Sequence, residues 1–124
     1  MCGRYDISET QVRIALHFEL DRCPEFTPSN PARPTERLVV VRRAPDARNE
    51  GVLLRWGLVP PFAKDLSYGT RHAINAQAET IDTLPSFREA FRGRRCLVPA
   101  KALHRNAPCG ILPFLCRQIL QASR

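Results

Sequence analysis

Apolar positions recur at helical spacing close to the start of the chain. Val12, Ala15 and Leu16 follow Ser8-Glu9-Thr10-Gln11, which reads as a capping box with Ser8 as N-cap and Gln11 reaching back, so the pattern predicts a helix over 9–19. Between Cys23 and Thr35, the prolines Pro24, Pro28, Pro31 and Pro34 remove backbone donors and predict an irregular, extended loop. Arg37-Leu38-Val39-Val40-Val41-Arg42 is rich in β-branched residues and precedes a turn-like Pro45-Asp46; Gly51 to Trp56 reads as its antiparallel partner. Pro60-Pro61 cannot donate to a ladder, so Gly57 to Phe62 breaks the sheet. His72-Ala73-Ile74-Asn75 reads as a short strand running into a turn or helix start. A second capping box, Ser86-Phe87-Arg88-Glu89, with Phe87, Ala90 and Phe91 as its apolar stripe, predicts a short helix over 87–92, and Arg95 to Pro99 reads as a strand ended by proline. Beyond Ala100 no clean period remains, and Ile111 to Cys116 is an exposed-looking apolar stretch.

The length of 124 residues suits one small domain, and 44% hydrophobic with 25% charged residues is the balance of a globular chain rather than a disordered one. No apolar run approaches the roughly 18 residues of a membrane span, and Asp6 and Glu9 stand where the apolar core of a signal peptide would begin, so a cytoplasmic, reducing compartment is expected. Five cysteines at irregular spacing do not suggest a disulfide framework there. A zinc site from Cys96, His104, Cys109 and Cys116 lacks the short Cys-x2-4-Cys pair, so no metal is expected. The net charge of +7 rests on 17 Arg and two Lys, and it is uneven. From Met1 to Phe91 the 12 basic and 12 acidic residues cancel, whereas Arg92 to Arg124 holds seven basic residues and no acid. That asymmetry points either to a polyanion partner, most simply nucleic acid, or to a tail that does not belong to the domain.

Cys2 carries the most distinctive chemistry. Removal of Met1 in front of so small a side chain would leave an amine and a thiol on adjacent carbons, with ordinary pKa values of about 7.7–8.0 and 8.5. The amine can condense with an aldehyde, and the thiol can then close a five-membered thiazolidine, an intramolecular step favoured by orientation. Arg4 would favour the thiolate.

Met1-Cys2-Gly3-Arg4-Tyr5 resembles the opening of the SRAP family, the SOS-response-associated peptidases or abasic-site-processing proteins. Four later stretches follow in the family's order: Asn30-Pro31-Ala32-Arg33-Pro34-Thr35, Arg55-Trp56-Gly57-Leu58-Val59-Pro60, Asn75-Ala76-Gln77-Ala78-Glu79-Thr80, and Pro85-Ser86-Phe87 through Arg94-Arg95-Cys96-Leu97-Val98-Pro99. The resemblance implies an α+β fold with a mostly antiparallel, barrel-like β sheet and flanking short helices. It also implies capture of abasic sites in single-stranded DNA through a thiazolidine on Cys2, within the DNA damage (SOS) response, with peptidase-like autoprocessing that exposes the cysteine. Asn75 then positions the N-terminus and the sugar; Arg4, Trp56, Pro60 and Arg71 are the expected DNA-binding residues. Arginines neutralise phosphates and aromatic faces stack on unpaired bases. Read without the resemblance, Trp56 is equally a core anchor, Asn75 a turn cap, and Arg71, Arg94 and Arg95 a solvated face; His17 and His72 pack or face solvent.

The resemblance breaks at three places. Gln77 stands where the family commonly has arginine. Arg105 stands where the family's catalytic glutamate belongs, and a cation cannot accept a proton at neutral pH. The part that carries the family's histidine lies beyond Arg124, and His104 is too early to replace it. The expected organisation is therefore the N-terminal portion of an SRAP domain over 1–100, incomplete at its C-terminus, and a divergent basic tail over 101–124 that a disrupted reading frame would explain. No cofactor, a monomer, and a cytoplasmic, nucleoid-associated location are expected. The alternatives are a non-catalytic single-stranded nucleic-acid binder and an inactive remnant.

Overall fold

A computed structural model describes residues 3–103 and 116–118. The elements run β1 (Tyr5–Ile7), α1 (Gln11–His17), β2 (Ser29–Ala32), β3 (Arg37–Arg43), β4 (Asn49–Arg55), α2 (Ser67–His72), α3 (Arg88–Gly93), β5 (Cys96–Val98), β6 (Ala102–Leu103) and β7 (Cys116–Gln118). They form two antiparallel sheets, ordered β2-β1-β6 and β4-β3-β5-β7. The class is α+β as expected, with short helices; among the described residues no closed barrel is found. No described helix is long and apolar enough to cross a membrane.

The β3–β4 hairpin is the backbone of the molecule. It pairs continuously from Arg37↔Arg55 to Arg43↔Asn49. Leu38, Val39, Val40 and Val41 are all buried, so β3 is covered on both faces, which its unbroken apolar run allows. The main core gathers Tyr5, Ile7, Ile14, Leu38, Val39, Val40, Leu54, Trp56 and Val98. A smaller one joins Leu58, Ala73, Phe87 and Ala90 beneath α2 and α3.

Several sequence expectations change. The N-cap of α1 is Thr10, whose side chain accepts from the Arg13 amide, while the Ser8 amide donates to Asp6 Oδ1 at 2.7 Å. Asp6, 8% exposed, also accepts from the Asn30 side chain at 3.1 Å, which ties β1 to the start of β2. This tie and the Tyr5↔Ala32 pairing turn part of the proline-rich segment into a strand rather than an irregular loop; the Asn30-Pro31 bond is cis. Residues 72–75 are not a strand, because His72 closes α2. Ser86 does not cap α3: its hydroxyl bonds Tyr68 Oη at 2.8 Å.

The hairpin turn holds Ala47 at φ 65°, closed by the Ala47 amide to Ala44 O at 2.9 Å and the Ala44 amide to Arg48 O at 2.8 Å. An alanine in the left-handed region is strained, and glycine relieves the strain at some cost in unfolded-state entropy. Ala47→Gly is expected to stabilise the domain by about 0.5–1 kcal/mol, read as a rise in the urea midpoint at constant m-value.

Candidate functional site

Trp56 follows the last residue of β4 and continues its ladder, donating its amide to Glu36 O and accepting from the Thr35 amide, both at 3.0 Å. It is 1% exposed. The indole ring lies against Tyr5 with centroids 5.3 Å apart at 54°, and Nε1 donates to Ile74 O at 3.2 Å. One residue pair over, the Leu58 amide donates to Ala73 O at 3.1 Å. Successive carbonyls at 73 and 74 are thus pinned to the 56–58 segment, and Asn75, the next residue, is exposed.

The pinning requires close approach of backbones. Gly57 has φ +119°, a conformation that favours glycine, and a Cβ on Gly69 of α2 would lie 2.7 Å from Gly57 O. Two glycines therefore let α2 sit directly on the strand end and deliver residues 73–75 beside Trp56.

The same tryptophan anchors β1 through Tyr5. Tyr5, three residues after Cys2 in the sequence, is 2% exposed in β1. Cys2 itself lies outside the described residues, as do His104 and Arg105. Arg4 is exposed just ahead of β1. Of the alternatives the sequence left open for Trp56, burial selects the core anchor, since no ring face remains for a base. Pro60 is likewise buried, and the exposed part of its segment is Pro61 and Phe62. Arg71 is exposed in the last turn of α2 and donates to Ser67 Oγ, which in turn bonds Asp65. The Ser67 hydroxyl and amide hold the Asp65 carboxyl below the ordinary range, so Asp65 stays anionic beside Arg71.

A further set of residues escaped the sequence reading. Phe62 is 57% exposed and meets the edge of Tyr68 at 5.7 Å, and Tyr68 meets His72 at 5.0 Å. The three rings form an aromatic ledge, Phe62 to Tyr68 to His72. The available signal was Phe62 itself: it follows two prolines, where neither helix nor strand carries a side chain inward. Among the described residues no three His, Cys, Asp or Glu side chains cluster to hold a metal.

The family model described as SOS response associated peptidase (SRAP) matches residues 1–104. The abasic site processing proteins YoqW and YoaM of Bacillus subtilis (strain 168) are each 35% identical over 108 residues, which is 84% of this chain. The alignments cover 47% and 46% of those proteins, so the chain spans about half the length of the curated relatives it matches. A crystal structure from Bordetella bronchiseptica superposes with a TM-score of 0.67 at 25% identity, over 82% of this chain and 49% of that one. One from Bacteroides thetaiotaomicron, at 22% identity, shares the fold with a TM-score of 0.66 over 86% of this chain and 51% of its own. The ordered motifs, the two-sheet fold and these matches agree: the chain belongs to the SOS response associated peptidase (SRAP) family.

Proposed function

We propose that this chain captures abasic sites in single-stranded DNA by forming a thiazolidine on Cys2 after Met1 is removed. The observation that carries the reading is the double anchorage on Trp56, whose ring packs on Tyr5 while its Nε1 holds the carbonyl preceding Asn75. Two segments far apart in sequence, β1 at Tyr5 and the chain at Ile74 just before Asn75, meet at one buried side chain, and the N-terminal Cys2 precedes Tyr5 by three residues. The names of the Bacillus relatives support the same substrate class.

The chemistry balances without a redox partner. The Cys2 amine adds to the aldehyde of the ring-opened sugar and water leaves as the imine forms. The thiol sulfur then adds to the imine carbon, its proton passes to nitrogen, and the ring closes. The Asn75 amide orients the sugar and the N-terminus. Arg4 and Arg71 neutralise phosphates, and the ledge of Phe62, Tyr68 and His72 offers faces for unpaired bases. Met1 is cleaved by peptide hydrolysis within the same protein, and the cellular setting is the DNA damage (SOS) response at the nucleoid. A second reading, a non-covalent single-strand binder, is favoured by Arg105, which cannot act as the proton acceptor that the family places there.

The deciding experiment mixes the folded chain, with Met1 removal verified by mass, with a single-stranded oligonucleotide bearing one abasic site. A denaturation-resistant adduct at the summed mass less one water is expected by intact-mass spectrometry. Salt-sensitive binding with no adduct would overturn the covalent reading in favour of the binder.

A further inference from the structure

The end of the four-stranded sheet opposite Trp56 carries a second concentration of charge. β3 runs from Arg37, paired with Arg55 beside Trp56, to Arg43, paired with Asn49, and seven residues of strand separate the two ends by about 20 Å. Val41 pairs with Leu97, so Arg94 and Arg95, just ahead of β5, come alongside Arg42 and Arg43. The four arginines border a groove of about 340 Å³. All four are exposed.

The charge there is not balanced. Among the described residues one carboxylate, Glu50, lines the groove, and Arg42 Nε engages it at 2.7 Å. The neighbouring turn contrasts with this: Arg48 is held by Asp46 at 2.7 Å and by Asp21 at 2.9 Å. Arg43 donates to Ala47 O at 2.7 Å, and Arg95 lies over the Phe91 ring at 5.7 Å, so both guanidinium groups are oriented without being neutralised. Planar guanidinium forks that converge from two elements match phosphate oxygens.

We infer that this groove is a second binding surface for the phosphate backbone of the same single strand, engaging nucleotides that flank the captured lesion on one side. The inference rests on the reading that the partner is single-stranded DNA, but it does not require the covalent step. A strand of a few nucleotides seated at Asn75 cannot reach the groove; a longer one can.

The test measures anisotropy of undamaged oligonucleotides, short and long, against the full chain and against Arg43→Gln/Arg94→Gln/Arg95→Gln, between 50 and 200 mM salt. For the long strand, the slope of log affinity against log salt is expected to fall by about 0.7 for each phosphate that the variant no longer neutralises. The short strand should bind both proteins alike, and Arg43→Lys/Arg94→Lys/Arg95→Lys should retain the wild-type slope. Adduct yield on a short abasic strand at saturation should not change. An unchanged slope on the long strand, or an equal decrease on both lengths, would overturn the groove. Groove-dependent binding with no adduct from the wild type would leave this inference standing and remove the covalent reading alone.

Discussion

Cys2→Ala is expected to abolish the denaturation-resistant adduct completely while leaving a product that borohydride can trap. The substitution removes the thiol but keeps the α-amine, so the imine still forms and still reverses. Ring closure is what converts a reversible condensation into a stable link, and it requires sulfur on the adjacent carbon. The two steps thus separate experimentally: wild type yields adduct without reductant, and the variant yields it only with reductant. In the proposed mechanism the free amine is the nucleophile, so the initial capture rate should rise between about pH 6 and 8, as a group with a pKa of about 7.7–8.0 loses its proton. The other thiols provide the control. Burial pushes the Cys23 thiol above its ordinary pKa, so it is less available as thiolate, and Cys23→Ala should leave capture unchanged. An adduct from Cys2→Ala without reductant would assign the chemistry to another residue.

Much of the frame around this chemistry was legible in the sequence, and the parts that were not share a physical cause. The β3–β4 hairpin declared itself through an uninterrupted β-branched run and a turn, and α3 through its apolar stripe. β1 and β2 are three and four residues long, too short for any period to register, and β2 exists because Asp6 and Asn30 meet across 24 residues. Residues 72–75 read as a strand because Ala73 and Ile74 are apolar. What decides their path is tertiary: the Gly57–Gly69 approach and two hydrogen bonds from the 56–58 segment. Asn75 is proposed through the resemblance, since no local pattern distinguishes it from a turn cap. For Trp56 the sequence left a core anchor and a DNA-facing role open; its 1% exposure answers to the core anchor, with Nε1 holding the residue before Asn75.

That position makes Trp56 the residue whose replacement separates folding from chemistry. Trp56→Ala removes a fully buried ring from the main core and is expected to cost about 3–5 kcal/mol, a large share of the stability of a domain this size. The informative variant is Trp56→Phe. It keeps an aromatic ring against Tyr5 but deletes the indole N–H, leaving Ile74 O without its donor, a change of about 1–3 kcal/mol. The chain should still fold, with a lowered melting temperature, because Leu58 continues to hold Ala73. Asn75, however, loses the hydrogen bond that fixes the carbonyl immediately before it. A displacement of about 1 Å at a positioning residue can cost on the order of 100-fold in rate. Capture at saturating abasic DNA is therefore expected to slow by about 10- to 100-fold. Affinity for an undamaged strand should stay at the wild-type level, because phosphate neutralisation supplies it. Single-turnover capture kinetics, run beside anisotropy on the same preparation, read the two quantities separately. Equal decreases in both would reduce Trp56 to a packing residue, and a wild-type rate in a folded Trp56→Phe protein would show that the Ile74 bond does not position Asn75.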